Sequence, residues 1–229
     1  MKTVLKIILD FIFPLQCINC NAPNYNLCPK CESQIALRTK KQCPLCNKEQ
    51  NNNDICQNCK PNTSLDKIII CADYENNILQ KTIHAFKYKN VSSLCEPLSN
   101  LLIRRFKEEK TPQQFIIIPT PLHRKRQLER GFNQSELLAK VFAQKFNYQI
   151  NTKILHRQRN NAHQADLNKK ERLINIKNCF VIKDVDQIKN KNIILVDDVV
   201  TTGATLNEQA KLLRTAGAKK IWAIVLAKN

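Results

Sequence analysis

Glycine is nearly missing from this chain, with three in 229 residues. Gly203 is expected where the backbone must approach closely and Gly217 at a helix end, while Gly131 falls in the string Arg130 to Gln134. Acidic residues are also few, 19 against 37 Lys and Arg, for a formal net charge of +18. Such a surface suits a polyanion: nucleic acid, a phosphorylated ligand or an anionic membrane face. Aromatic residues make up only 6%, so few are on hand to stack nucleobases. No apolar run is long enough to cross a bilayer. The apolar stretch Val4 to Phe13 is interrupted by Asp10, closed by Pro14 and followed by no small-residue cleavage site. Gln16 before Cys17 rules against a lipoprotein site. Residues 3–13 read as a short amphipathic helix packed on the body of the protein, and the chain as cytoplasmic, without a membrane span.

Cysteine is abundant instead: eleven residues, eight of them in four C-x-x-C pairs before residue 60. The pairs are Cys17/Cys20, Cys28/Cys31, Cys43/Cys46 and Cys56/Cys59. Residues 14–63 around them are polar and show little apolar periodicity, so something other than a core must hold them together. A C-x-x-C turn aims two thiolates at one metal, and two such turns complete a tetrahedral four-cysteine zinc site. Seven residues separate the first two pairs and nine the last two, either gap suiting a short ribbon hairpin. Two sequential sites are the simplest arrangement; pairing first with third and second with fourth is the alternative. Disulfides are the competing reading, disfavoured in a cytoplasmic chain. Both sites are expected to be structural, with metal binding supplying folding energy. Cys71, Cys95 and Cys179 read as packing residues.

From residue 64 the pattern changes. Lys67 to Ala72 is a strand-like run. Leu79, Ile83 and Phe86 share one helical face, and Leu94, Leu98, Leu101 and Leu102 follow at helical spacing. Phe115 to Ile118, Ile193 to Val196 and Ile221 to Leu226 are buried-strand runs. Helices are expected from about Gln134 to Phe146, and from about Ala204 to Thr215 with Gly217 as its C-terminal cap. Strands each followed by a helix predict an α/β fold with an open, mainly parallel sheet covered on both faces. Residues 156–178, polar and basic without a period, read as a long mobile loop. The division is residues 1–63, an N-terminal helix and double zinc ribbon with four cysteines per site, and 64–229, the α/β domain.

The segment Ile193 to Thr205 is the most specific signal. A buried strand delivers two carboxylates, Asp197 and Asp198, at its carboxyl end, and the turn Thr201-Thr202-Gly203-Ala204-Thr205 opens a helix. Ligands of open α/β sheets bind at that end. The turn suits a phosphate through backbone amides, a helix N-terminus and Thr hydroxyls, and Gly203 permits close approach. The carboxylates would repel a phosphate; they suit the hydroxyls of a diol. A phosphate cradle beside diol acceptors spells a ribose 5-phosphate.

Val196 to Thr205 resembles the phosphoribosyl-pyrophosphate motif of type I phosphoribosyltransferases. More narrowly, the chain resembles the ComF family, bacterial proteins associated with DNA uptake in natural competence, with a relative known for using DNA as a nutrient. The likeness covers nearly the whole chain: the C-x-x-C knuckles, Phe86-Lys87-Tyr88, Pro119-Thr120-Pro121-Leu122, Arg130-Gly131-Phe132-Asn133-Gln134 and the Asp-Asp loop. It implies a type I phosphoribosyltransferase-like fold and a site for phosphoribosyl pyrophosphate with magnesium. Asp197 and Asp198 are then the catalytic candidates, with Val199, Val200, Thr201, Thr202, Gly203, Ala204 and Thr205 cradling the 5-phosphate. The basic loop from His123 to Arg130 would bind pyrophosphate, Arg130 and Gly131 foremost and Arg126 next. Asn133 reads equally as a helix N-cap, which needs no ligand.

A second basic stretch, Arg157, Arg159, His163, Lys169, Lys170 and Arg172, matches in position the loop that closes over pyrophosphate in such enzymes. With Arg124 and Lys125 it also offers a track for single-stranded DNA. Two functions follow. One is a competence-associated protein that binds phosphoribosyl pyrophosphate and single-stranded DNA, with proteins of the DNA-uptake machinery as further partners. The other is an active phosphoribosyltransferase whose acceptor the sequence does not reveal.

Overall fold

The computed structural model describes residues 15–89, 91–109, 111, 113–159, 176 and 178–229. The helix expected over residues 3–13 lies outside this set. The framework is a five-stranded, wholly parallel sheet. Its strands are β1 (Lys67–Asp73), β2 (Ile116–Pro119), β3 (Gln149–Ile150), β6 (Asn192–Val200) and β7 (Lys220–Lys228), in the order β1-β7-β6-β2-β3. A separate antiparallel pair joins β4 (Leu155–Arg157) to β5 (Phe180–Ile182).

Alternation within the strands fills both faces. On one side lie Ile69, Ile117, Ile194, Val196, Ile224 and Leu226. On the other lie Ile68, Ile70, Ile193, Leu195, Ile221 and Val225. The first face is covered by α2 (Asn77–Tyr88), α3 (Cys95–Lys107) and α5 (Gln134–Phe146) through Leu79, Phe86, Leu98, Leu138 and Phe142. The second is covered by α6 (Ala204–Thr215) through Leu206, Ala210 and Leu213. From β2 the chain goes outward to β3 by way of α5 on one face. It returns on the other side of β2 as β6, whose helix α6 lies on the opposite face. The carboxyl ends of β2 and β6 therefore flank the point where the topology switches direction, the place where such sheets open a crevice.

Two basic stretches differ from expectation. Arg124–Arg130 is a short helix, α4, not a loop. His123 caps its start by accepting from the Lys125 amide, and Gly131, at φ 71°, ends it in the left-handed conformation. Its straight-chain residues favour helix even without an apolar stripe. Arg157 lies in β4 rather than in a loop, because Leu155-His156-Arg157 pairs with Phe180-Val181-Ile182. Lys169, Lys170, Arg172 and His163 lie outside the described residues.

The cysteines gather as two sequential sets, Cys17/Cys20/Cys28/Cys31 and Cys43/Cys46/Cys56/Cys59, the ligating sulfurs of each within 4.8 Å of one another. The first knuckle of each set is built alike. Cys17-Ile-Asn-Cys20-Asn21 and Cys43-Pro-Leu-Cys46-Asn47 each end on an Asn at positive φ, 61° and 63°. Its amide bonds back to the carbonyl of the leading cysteine. Asn tolerates this left-handed turn at low cost. A short helix α1 (Pro29–Ser33) carries Cys31. The first ribbon packs Leu27, Cys28 and Ile35 into one face of the molecule, and the second packs Ile55 and Leu45 into the other.

Between them, the chain crosses beside the outer strand β1. The Arg38 amide donates to the Cys71 carbonyl at 2.8 Å, and the Arg38 guanidinium pairs with Asp73 at 2.7 Å. Among the described residues, no helix is long and apolar enough to cross a membrane.

Because both ribbons share apolar clusters with the sheet, stripping their metal is expected to loosen the whole chain. Trp222, the single tryptophan, packs 5.1 Å from Phe115 in the sheet and reports on it. A chelator titration in reductant should shift the thermal midpoint followed by Trp222 fluorescence downwards. An unchanged midpoint would mean that the ribbons and the sheet fold separately.

Candidate ligand-binding site

Strand β6 runs on to Val200, past the apolar run Ile193 to Val196, so Asp197 and Asp198 lie within its carboxyl-terminal part. Strand β7 pairs with β6 along this stretch, Asp197 opposite Val225 and Val200 opposite Lys228. On the other side β2 stops at Pro119, opposite Val196, and Thr120 makes the last bond, its amide donating to the Val196 carbonyl at 2.9 Å. The carboxylates thus stand where one neighbouring strand has ended, on the floor of a pocket of about 270 Å³.

One wall of the pocket is the loop Val199 to Thr205. Gly203 stands at φ 75° as the N-cap of α6 and has no side chain to cap the first turn itself. Thr202 Oγ1 accepts from the Ala204 amide at 3.3 Å. The start of this twelve-residue helix lines the pocket, and a helix N-terminus favours an anion. From behind, Leu45 of the second ribbon presses on this loop. A Cβ added at Gly203 would meet Leu45 Cδ2 at 2.6 Å. The same knuckle is anchored by Lys228, whose ammonium donates to the Pro44 carbonyl at 2.7 Å. Gly203 is therefore needed for two reasons, its left-handed backbone and the ribbon behind it.

The pocket also carries a cationic cluster. Arg126 and Arg130 from α4 line the pocket together with Arg157 from β4. Burial and the Arg130 charge hold the Arg126 guanidinium below its ordinary pKa. Burial and Arg126 do the same to Arg157. Three guanidinium groups that repel one another in a partly dry pocket form a seat an anion would relieve. Arg130 also lies 5.1 Å over the ring of Tyr88, which in turn packs 4.9 Å from His84.

The string Arg130 to Gln134 assembles this part of the pocket. Gly131 turns the chain and does not itself line the pocket; open space surrounds its missing Cβ. Phe132 packs on Phe86 at 5.5 Å. Asn133 caps α5 by accepting from the Ser135 amide at 3.1 Å, and its amide group donates to the Thr120 carbonyl at 3.1 Å. Gln134 accepts from Arg130 at 3.2 Å and donates to the Phe86 carbonyl at 3.4 Å. Arg124, Lys125 and Arg159 lie outside the pocket, on exposed surface.

Two residues not singled out as site residues in the sequence hold the carboxylates. Ser135 Oγ donates to Asp197 Oδ1 at 2.9 Å. Lys87 Nζ, from α2, pairs with Asp198 Oδ1 at 2.9 Å, and this pair is only 19% and 13% exposed. Burial works against the Lys87 ammonium, but Asp198 and then Asp197 outweigh it and hold its pKa above the ordinary value. Burial, and next the Asp198 charge, push the Asp197 carboxyl up to about 6. The Asp198 amide, Lys87 and Ser135 oppose that rise without cancelling it.

Each cysteine set fits a tetrahedral zinc ion. Zinc–sulfur bonds of about 2.3 Å put sulfurs roughly 3.8 Å apart. Cys20 and Cys28 sulfurs are 3.5 Å apart, and Cys46 and Cys56 sulfurs 3.7 Å. The Cys28 and Cys56 amides point at the Cys17 and Cys43 sulfurs, 3.4 and 3.5 Å away. Burial pushes both thiols up, but these and neighbouring amides overcome it and bring each down to about 6, while in the same two sets Cys31 and Cys59 are pushed up to about 12 beside their neighbouring sulfurs.

An acid pair beside an anion loop at the switch point of a parallel sheet is the architecture of the type I phosphoribosyltransferases, here joined to two zinc-ribbon sites of four cysteines each. The phosphoribosyl transferase domain model matches residues 128–229, and the double zinc ribbon domain model residues 8–60. Competence protein F of Haemophilus influenzae is 33% identical over 228 residues, covering 94% of this chain and 98% of that protein. DNA utilization protein YhgH of Escherichia coli O157:H7 is 31% identical, covering 92% and 96%. Competence protein ComFC of Bacillus subtilis is 28% identical, covering 85% and 80%. The chain belongs to the ComF family of competence and DNA utilization proteins.

The Asp197 shift has a consequence for stability. A folded-state pKa raised from 3.8 to about 6 means that ionising Asp197 opposes folding. That cost is absent below about pH 4 and fully present above about pH 6. Asp197→Asn is expected to raise the thermal midpoint at pH 8, by about 2–4 °C for each kcal/mol of repulsion removed. At pH 4 it should leave the midpoint unchanged. A drop at pH 8 in calorimetric scans would contradict this account.

Proposed function

We propose that the protein binds phosphoribosyl pyrophosphate, with magnesium, in this pocket, and handles single-stranded DNA on its basic surface as part of DNA uptake or use. One observation carries the reading of the pocket. Two carboxylates share one pocket with a helix-opening loop suited to one anion and with three arginines suited to another. A ribose bearing a 5-phosphate and a pyrophosphate offers the matching groups: two anions and a pair of hydroxyls. Asp197 and Asp198 accept from the ribose hydroxyls, Val199 to Thr205 cradle the 5-phosphate, and Arg126, Arg130 and Arg157 face the pyrophosphate. Magnesium supplies charge neutralisation on the pyrophosphate oxygens.

The DNA reading is supported by the net charge of +18 and by exposed Arg124, Lys125 and Arg159 outside the pocket. It is also supported by the names of the relatives, competence protein and DNA utilization protein. Backbone contacts by such residues release counterions and make binding salt-dependent.

Calorimetric titration with phosphoribosyl pyrophosphate and magnesium is expected to show one site. Asp197→Ala/Asp198→Ala should abolish it while leaving DNA binding in place; a wild-type protein that does not bind removes the assignment. For DNA, a gel-shift series across salt should give a steep negative log–log slope. Arg124→Ala/Lys125→Ala should make that slope shallower by about 1.4, or about 0.7 per lost phosphate contact on a single strand. An unaltered slope would place the DNA elsewhere.

A further inference from the structure

The two carboxylates are not equivalent groups free to turn. Asp197 Oδ1 accepts from Ser135 Oγ at 2.9 Å and from the Asp198 amide at 2.9 Å. Asp198 Oδ1 accepts from the Val199 amide at 2.6 Å and faces the Lys87 ammonium at 2.9 Å. In each case one oxygen is taken twice. The other oxygen of each, Oδ2, has no partner among the described residues, and both side chains line the pocket. A carboxylate oxygen with two donors is pinned, so its twin points one way. The outcome is two neighbouring carboxylates, each presenting one unclaimed acceptor.

We infer that Lys87 and Ser135 are positioning residues that set this acceptor pair to read a vicinal diol, making the pocket specific for a ribose 5-phosphate group over its 2-deoxy counterpart. This rests on the phosphoribosyl reading of the pocket and narrows its ligand class. Each hydroxyl of a cis diol donates to one acceptor. A 2-deoxyribose brings one hydroxyl of that pair and leaves a desolvated carboxylate oxygen without a donor, which a site built for hydroxyls penalises strongly. The phosphorylated end of a DNA strand therefore does not occupy this pocket, although the rest of the surface attracts DNA. Sugar binding and DNA binding are separate in space.

Lys87 and Ser135 come from different helices, α2 and α5. Both lie far in sequence from the acid pair, and each holds one carboxylate. Removing either leaves its carboxylate held by a single backbone amide, so the spacing of the pair is less firmly set.

The test is direct binding of ribose 5-phosphate, 2-deoxyribose 5-phosphate and inorganic phosphate to the full chain with zinc bound, beside phosphoribosyl pyrophosphate with magnesium. Wild type is expected to prefer ribose 5-phosphate by about ten- to hundredfold. Lys87→Met and Ser135→Ala, both lining the pocket, should each bring that preference to within about threefold, read as the ratio of the two sugar affinities. Lys87→Arg and Ser135→Thr, which keep the cation and the hydroxyl, should preserve most of the preference. Circular dichroism and zinc content identify a variant that has failed to fold, in which case the other position decides. Wild type that binds phosphoribosyl pyrophosphate yet treats the two sugars alike overturns the inference and leaves the proposed function standing. Preference retained in both Lys87→Met and Ser135→Ala overturns the positioning role. No binding of phosphoribosyl pyrophosphate by wild type overturns the proposed function and the inference with it.

Discussion

Two carboxylates on consecutive residues repel each other, and a pocket floor screens that repulsion poorly. Much of the molecule is arranged around tolerating them. Lys87 must arrive from α2 to neutralise Asp198, and Ser135 from α5 to hold Asp197. Those needs fix where the two helices end over the sheet. Gln134 and Asn133 then tie α5 to α2 and to the end of β2, so the walls of the pocket are bonded to one another as well as to the floor. The same strain explains the choice of neighbours. A lysine and a hydroxyl suffice to keep the pair folded while leaving an acceptor on each carboxylate for a ligand.

The loop Val199 to Thr205 obeys a second constraint, from behind. Gly203 is squeezed between the ligand side and Leu45, and Leu45 is placed by a cysteine knuckle that Lys228 grips through backbone carbonyls. Asn207, on the first turns of α6, accepts from Thr63 and Ser64 just beyond the last cysteine. The second ribbon thus braces both the loop and the helix it opens. The ribbon is not an appendage with an independent position.

Regular elements are legible wherever burial imposes a period. The helix expected from Gln134 to Phe146 and the one from Ala204 to Thr215 have those bounds. The strand runs at Ile193, Ile221 and Phe115 are strands extended or shifted by a few residues. The sequential gathering of the cysteines also follows from spacing, because the short gap between neighbouring knuckles brings them together first. What is not legible depends on partners distant in sequence. α4 carries one leucine, Leu128, and that side chain is exposed, so no apolar stripe announces the helix. β4 is three residues long with one fully buried side chain, too short for alternation to register, and Arg157 reads as part of a surface loop for that reason. Lys87 sits inside the motif Phe86-Lys87-Tyr88, but nothing local tells a lysine on a helix that a carboxylate waits beyond it. The packing of the two ribbons on opposite faces is hidden as well, since a C-x-x-C pair specifies a metal and says nothing of the surface it rests on.

The crossing between the ribbons touches a different problem. β1 is an outer strand, and an outer strand carries a row of backbone groups ready to pair with any extended chain. Here the Arg38 amide takes the Cys71 carbonyl, Arg38 and Lys40 place their charges on Asp73, and Ile35 is buried alongside. The passage from one metal site to the other therefore works as a guard rail along an adhesive edge. Its two ends are set by the cysteine sets, so the folding of the ribbons and the covering of that edge are one event.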